Sequence, residues 1–411
     1  MRPRAYAVAT MDTKGRELSF VADRIRAAGV EVVTVDVGTL DPPTVGPDIP
    51  REAVVASHPT PEGRAQALSG VDRGRSVTAM GEALAVFLRR EHEAGRLAGV
   101  IGIGGSGNTA AITPAMRALP IGMPKVMVST IASGNVSPYV GTSDIVMMYP
   151  VVDIAGLNAV SRRVLANAAA ALVGMIRQDE LPSDDRPTVA MTMFGVTTPC
   201  VSAVREALEA RGFDALVFHA TGTGGRAMEK LVEAGLIGGV LDITTTEVAD
   251  EVVGGILPAG PDRFDAILRA RIPYVMSLGA LDMVNFGAIE TVPEKFHGRK
   301  LHSHNAQVTL MRTTADENRL CARWIAGKLN RAEAPFTVMI PEGGVSSIDA
   351  PGMPFHDPEA DAALFDELES AIEPRPGRTI RRLPMNINDP AFARALVEAY
   401  LDLASNRTIQ E

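Results

Sequence analysis

Gly99-Val100-Ile101-Gly102-Ile103-Gly104-Gly105-Ser106-Gly107-Asn108-Thr109-Ala110 is the stretch that decides the fold. A short β-branched run enters a cluster of glycines, which gives way to a helix-compatible segment opening at Asn108 or Thr109. Strand, glycine turn and helix N-terminus in that order predict an anion site, with free backbone N–H groups at the positive end of a helix dipole. Two familiar patterns overlap here and neither is complete. Gly102-x-Gly104-x-x-Gly107 spells the dinucleotide fingerprint, but no carboxylate stands about 20 residues further on, where residues 126–130 fall. The same residues read as a P-loop in which Asn108, followed by Thr109, replaces the phosphate-binding lysine.

Upstream, residues 5–10 read as a buried strand that runs into the turn Met11-Asp12-Thr13-Lys14-Gly15. Leu18, Val21, Ile25 and Ala28 then recur at helical spacing, and Gly29 ends the helix. A strand at 31–37 closes a βαβ unit and carries Asp36 near its carboxyl end, where parallel sheets present ligand-binding groups. Residues 38–62, with Pro42, Pro43, Pro47, Pro50, Pro59 and Pro61, are expected to form a long irregular excursion. Downstream come strands at 125–129 and 144–148, with helices at 75–93 and 157–176. Alternation of this kind means α/β, with a doubly wound parallel sheet.

The cation missing from the glycine loop is expected from Lys14, in a turn beside it. There Asp12 would hold Mg²⁺ directly or through water, and Thr13 would cap the helix that follows. A plain capping turn with a solvated lysine is the alternative. Ser129, Thr130, Ser133, Gly134 and Asn135 add hydroxyls, an amide and a pliable backbone at a third strand end.

The acidic, turn-rich segment 179–187 is the expected boundary, dividing the chain into domains 1–181 and 182–411. Beyond it the pattern recurs. Val189-Ala190-Met191-Thr192 echoes Val8-Ala9-Thr10-Met11, Gly238-Gly239-Val240-Leu241 echoes Ala98-Gly99-Val100-Ile101, and Tyr274-Val275-Met276-Ser277 echoes Val126-Met127-Val128-Ser129. The order predicts two Rossmann-like domains of similar design, a duplication with a ligand cleft between the copies.

In the second half, Thr221-Gly222-Thr223-Gly224-Gly225-Arg226 is a second possible anion cradle, with Arg226 as its charge. Thr244-Thr245-Thr246-Glu247 reads as a helix cap at Thr246 with a carboxylate in the first turn. His297, His302 and His304 place three of the seven histidines within eight residues, beside Arg299 and Lys300. His302 and His304 would share one face of a strand and could bind a metal, given a third ligand such as Glu342, Asp349 or His356. A basic loop for phosphate or carboxylate is the other reading. Pro341-Glu342-Gly343-Gly344 and Asn386-x-Asn388-Asp389-Pro390 read as a turn and a capped helix start.

The 411 residues are 46% hydrophobic, 22% charged and only 4% aromatic, as in a globular α/β protein with close helix-on-sheet packing. A net charge of −9 argues against broad nucleic-acid binding. Two cysteines, Cys200 and Cys321, exclude a disulfide framework and point to a reducing compartment. The apolar run 164–176 reads as too short to span a bilayer, and no signal segment precedes the first strand, so a cytoplasmic, membrane-free protein is expected.

Together, Ala9-Thr10-Met11-Asp12-Thr13-Lys14-Gly15, Gly102-x-Gly104-Gly105-Ser106-Gly107, Ser133-Gly134-Asn135 and Pro341-Glu342-Gly343-Gly344, with the Asn388-Asp389-Pro390 turn, carry a resemblance over essentially the whole chain. The chain resembles an uncharacterised two-domain family that has stand-alone bacterial and archaeal members. That family includes the N-terminal ATP-binding region of the tomato mosaic virus resistance protein. The resemblance implies ATP binding, paired α/β domains and a homodimer. The leading expectation is then an enzyme that uses ATP and Mg²⁺ on a small anionic metabolite. The alternatives are a non-catalytic, nucleotide-dependent interaction module and a metal-assisted hydrolase or lyase built on His302 and His304.

Overall fold

Alternation along the first strand, β1 (Arg4–Ala9), sends Tyr6 and Val8 to one face and Ala5, Ala7 and Ala9 to the other, all of them buried. A strand apolar on both faces needs helices above and below it, which a parallel sheet provides. In the computed structural model, which describes residues 3–178 and 185–408, that is the arrangement found. Tyr6 and Val8 pack with Met80, Leu84, Ile112 and Met116 of helices Arg73–Glu93 and Ser106–Arg117. The alanines pack with Leu18 and Val21 of helix Met11–Ala27 and with Leu165 and Leu172 of helix Ala159–Ile176.

The remaining strands of this sheet are β2 (Val32–Asp36), β3 (Leu97–Gly104), β4 (Lys125–Ser129) and β5 (Val146–Met148). Their order is β2-β1-β3-β4-β5, every pair parallel. The chain direction across the sheet reverses between β1 and β3, so loops leaving those two strands at their carboxyl ends open a crevice.

The second sheet is built from β6 (Thr188–Met193), β7 (Asp214–His219), β8 (Gly239–Thr244) and β9 (Tyr274–Gly279), later joined by two more strands. Between them lie β10 (Met283–Phe286), β11 (Leu301–Asn305) and β12 (Val308–Arg312), which form a separate antiparallel sheet in the order β10-β12-β11. With β13 (Phe336–Pro341) and β14 (Arg378–Leu383), the second parallel sheet reads β14-β13-β9-β8-β6-β7. Counted from its own first strand, each parallel sheet runs 2-1-3-4-5, and the second continues to a sixth strand. The two domains therefore share one design, as the matched segments predict. The chain divides into two compact units, Met1–Pro182 and Ser183–Glu411. Of the expected boundary segment, residues 179–184 lie outside the described residues.

Several expectations are corrected. Met11 to Gly15 is not a free turn but the opening of helix Met11–Ala27, irregular only at Lys14 (φ −121°, ψ 15°). Thr10 is then the residue before the helix, so Thr13 cannot cap it; the Thr13 hydroxyl meets that of Thr10 at 3.0 Å. The glycine-loop helix opens at Ser106, ahead of Asn108. The proline-rich excursion is partly helical, at Arg51–Val55 and from Pro61, and Ile49 bridges to Val35. Helix Ala159–Ile176, 18 residues, is by length and composition able to cross a membrane, longer than the run read from sequence. Its Leu165, Ala168, Ala169, Leu172 and Val173 pack in the core of the first sheet. Among the described residues the antiparallel sheet β10–β12 has no counterpart in the first unit.

Candidate functional site

The crevice at the ends of β1 and β3 holds a cavity of about 370 Å³. Thr10, Asp12, Thr13 and Lys14 line it from β1, and Gly105, Ser106, Gly107 and Asn108 from β3. The Asp12–Lys14 and glycine segments, singled out separately in the sequence, thus meet in one place. Thr39, Leu40, Arg73, Val77 and Asp153 complete the lining.

Each glycine of the loop has a distinct task. A Cβ on Gly102 would meet Met127 Sδ at 2.6 Å and Ile112 Cγ2 at 2.9 Å, so this glycine lets the helix pack on the sheet. Gly104 has φ +146°, and a Cβ there would meet the Asn108 amide at 2.3 Å. Gly107 is different: the position of its missing Cβ lies 3.5 Å from Arg73 Nη2, within the cavity lining. Among the described residues no side chain caps the helix start at Gly105, which leaves the first N–H groups of helix Ser106–Arg117 available to an anion.

Asn108 does not substitute for a P-loop lysine. Its Oδ1 accepts from Thr10 N at 2.8 Å and its Nδ2 donates to Thr10 Oγ1 at 3.1 Å, so it clamps the two strand ends together. The charge comes instead from Lys14 and Arg73. Among the described residues neither forms an ion pair or side-chain hydrogen bond. Arg73, the first residue of its helix, was missed in the sequence because the helix was read as starting two residues later; the signal was Asp72, whose carboxylate caps Arg75 N at 3.1 Å.

Other expected residues lie beneath or beside the cavity. Thr109 is buried, bonded to Ser129 Oγ at 2.6 Å and to Gly105 O at 2.9 Å. Ser129 Oγ also accepts from Ile131 N, Ser133 Oγ donates to Thr130 O, and Asn135 Oδ1 accepts from Ser137 N, so the third strand end spends its polar groups on its own turns. Gly134 extends that turn, and Thr130 Oγ1 lies 3.7 Å from the position a Cβ on Gly105 would take. Asp36 is 1% exposed and its Oδ1 accepts from Met11 N at 2.9 Å and Gly38 N at 2.8 Å. Burial, opposed by those two amides and reinforced by the Asp12 charge, raises the Asp36 carboxyl above its ordinary range.

The second unit corrects the other anion readings. The amides of Gly222 and Gly225 donate to Glu247 Oε1 at 2.7 and 3.1 Å, so this cradle already holds a carboxylate of the chain. A Cβ on Gly224 would collide with His219 O, and Arg226 turns back to Gly222 O at 3.2 Å. Glu247 is itself paired with Arg263, which also meets Asp242 and Glu229, all buried. Burial works against the Arg263 charge, but Asp242, Glu247 and Glu229 prevail and hold its pKa well above the ordinary value. Thr246 is the first residue of its helix and Thr245 the one before it, and no side chain caps that end.

The expected histidines take separate places. His302 and His304 lie on β11, the His302 ring edge-on to Phe355 at 6.1 Å, while His297 Nε2 meets Val292 O and His356 Nδ1 meets Asp349 O. Among the described residues no three His, Cys, Asp or Glu side chains are grouped to hold a metal ion. Arg299 is bound by Glu317 through two contacts of 2.8 and 2.6 Å, so it is no free anion receptor. Glu342 is exposed, 3.6 Å from Arg382. The groove lined by Asp265, Arg269, Arg271, Arg331 and Glu333 offers no spare cation either, since each arginine there is paired.

Residues 3–181 match the "Uncharacterised protein family (UPF0261) N-terminal domain", and residues 186–404 match its C-terminal domain. A UPF0261 protein of Rhizobium meliloti (strain 1021) is 56% identical over 402 residues, spanning 98% of this chain and 99% of the relative. One from Mesorhizobium japonicum is 53% identical over 401 residues, spanning 98% and 99%. The ToMV resistance protein Tm-1 of Solanum lycopersicum is 47% identical over 422 residues; the match covers 98% of this chain but 56% of the tomato protein.

Proposed function

The chain belongs to the uncharacterised protein family UPF0261, and we propose that it is an ATP-binding protein whose nucleotide phosphates occupy the β1/β3 crevice of the first unit. One observation carries this reading. Lys14, Arg73 and the uncapped start of helix Ser106–Arg117 converge on a single cavity at the sheet's switch point. Two cations that form no ion pair among the described residues, beside backbone amides that no described side chain caps, favour a polyanion over a neutral metabolite. The cavity, about 370 Å³, falls in the range of small-ligand sites.

Asp12 supplies the negative pole that a Mg²⁺–nucleotide requires, and Asp153 lines the same cavity as a second carboxylate. Asp12 would help to hold such an ion, which would neutralise charge on the phosphates. That combination suits phosphoryl transfer, in which positioning and charge neutralisation do most of the catalytic work. We assign the chain to ATP-dependent chemistry on a small anionic metabolite, with Lys14 and Arg73 on the phosphates.

Calorimetry of the full chain with ATP, in the presence and absence of Mg²⁺, tests the reading. Saturable binding strengthened by Mg²⁺ is expected, and Lys14→Ala should weaken it about tenfold or more, or ~1.4 kcal/mol. Equal affinity in the variant would remove Lys14 from the site. Turnover is read separately, as phosphate or ADP release with a panel of small carboxylic and phosphorylated acceptors.

A further inference from the structure

Asp12, which lines this crevice, and Asp36, close enough to feel its charge, are left with unmet demands. Asp36 Oδ2 and Asp12 Oδ1 are both buried, and neither accepts a hydrogen bond among the described residues. Asp36 as a whole is 1% exposed. A buried charged oxygen without a partner is costly, by more than an ordinary unsatisfied polar group.

Both carboxylates approach one point beside Gly38, Asp36 through its amide-bound Oδ1. The position that a Cβ on residue 38 would occupy lies 3.1 Å from Asp36 Oδ1, 3.5 Å from Asp12 Cγ and 3.7 Å from Asp12 Oδ1, and residue 38 is glycine. Nearby cations do not fill the need. Arg51, the nearest to act on Asp36, directs Nη1 to the carbonyls of Leu40 and Asp41 and Nε to Glu52. Lys14 forms no ion pair with Asp12 among the described residues.

We propose that Asp12 and Asp36 form a divalent-cation site against Gly38, taking Mg²⁺ or Mn²⁺. The donor set suits these ions: hard oxygen ligands, only two carboxylates, and water or phosphate left to complete the shell. Mg²⁺ is commonly held in this way, by one or two carboxylates and the phosphates of a substrate. Asp36 Oδ1 is spoken for by the Met11 and Gly38 amides, so Oδ2 is its free donor. The inference deepens the ATP reading and rests on it for what the ion faces in the cavity. The carboxylate pair itself does not depend on it.

The test titrates Mn²⁺ into the full chain, first alone and then with ATP, following the free ion by electron paramagnetic resonance and competing it with Mg²⁺. Saturable Mn²⁺ binding, displaced by Mg²⁺ and weakened about tenfold or more in Asp36→Asn, supports the site. Asparagine keeps an oxygen for the Met11 and Gly38 amides, so the local fold has its acceptor. Gly38→Ala is the second variant: it leaves every charge in place but puts a methyl group into the cradle, and it should weaken Mn²⁺ to a similar degree. Mn²⁺ bound equally by the parent chain and both variants overturns the proposal, as does no binding at millimolar Mn²⁺ with or without ATP. Binding that depends on Asp36 and Gly38 in a chain without ATP affinity keeps the cation site and overturns the nucleotide reading. ATP binding that depends on Lys14, with Mn²⁺ indifferent to both variants, does the reverse.

Discussion

Asn108 and Thr10 are 98 residues apart and exchange two hydrogen bonds, Thr10 N to Oδ1 at 2.8 Å and Nδ2 to Thr10 Oγ1 at 3.1 Å. This clamp joins the carboxyl end of β1 to the start of the helix after β3, and so sets the width of the crevice. Asn108→Ala leaves the Thr10 amide without its acceptor, at a cost of about 1–3 kcal/mol. A lower urea midpoint together with weaker ATP binding is expected. Reduced stability with unchanged ATP affinity would separate the clamp from the site.

Arg73 tests the half of the site that sequence reading did not supply. Its Nη2 lies 3.5 Å from the position a Cβ on Gly107 would take, in ordinary contact with the loop. Arg73→Ala should weaken ATP about five- to tenfold, roughly 1–1.4 kcal/mol, and flatten the salt dependence of binding. Because the side chain is exposed and unpaired among the described residues, stability should change by no more than about 0.5 kcal/mol. Titrations at low and high salt, beside a thermal melt, read both.

The two glycine turns mark the limit of what the sequence conveys. Residues 102–107 and 221–226 offer the same local signal, a strand followed by glycines and a helix start. In the first, no side-chain cap forms at Gly105 among the described residues. In the second, Glu247 folds in from another strand end and takes the amides of Gly222 and Gly225. Only a contact between residues 22 and 25 positions apart distinguishes them, and no local pattern carries it. The parallel sheet is legible for a different reason: apolar runs at 5–9, 100–103 and 126–128 are buried on both faces, which calls for helices above and below whatever the loops do. The antiparallel strands β10–β12 escaped notice because β11, with His302, Ser303 and His304, is polar and largely exposed. Its pairing with β12 rests on backbone bonds rather than a hydrophobic pattern.

Arg226 was the charge singled out by sequence at the second turn, yet Arg263 is the one that matters to the fold. Arg263 is surrounded by Glu229, Asp242 and Glu247 with all four side chains buried. Arg263→Met removes the cation from three buried carboxylates and should cost about 3–5 kcal/mol, since breaking a buried pair leaves the remaining charges uncompensated. Arg226→Ala, at an exposed position, should lie within about 0.5 kcal/mol of the parent. Denaturant unfolding of both variants measures the contrast; similar losses would contradict the assignment of the network to Arg263.

Asp250 predicts how stability responds to pH. Its Oδ1 accepts from Asn285 N at 2.7 Å, and its Oδ2 from Leu257 N and Asn285 Nδ2, both at 3.0 Å. Burial outweighs those bonds and pushes the carboxyl up from 3.8 to about 7. Between those two values the folded chain keeps a proton that the unfolded chain releases, so ν for the native state exceeds ν for the unfolded state and stability falls as pH rises. The contribution is complete below the unfolded pKa and is lost as pH climbs through about 7. Asp282, likewise raised to about 7 by burial, slopes the same way and remains in an Asp250 variant. The informative quantity is therefore the difference in slope. Urea midpoints measured from about pH 5 to pH 8 should decline less steeply in Asp250→Asn than in the parent, whatever constant offset the new amide introduces. Parallel curves would mean that Asp250 carries no extra proton in the folded state.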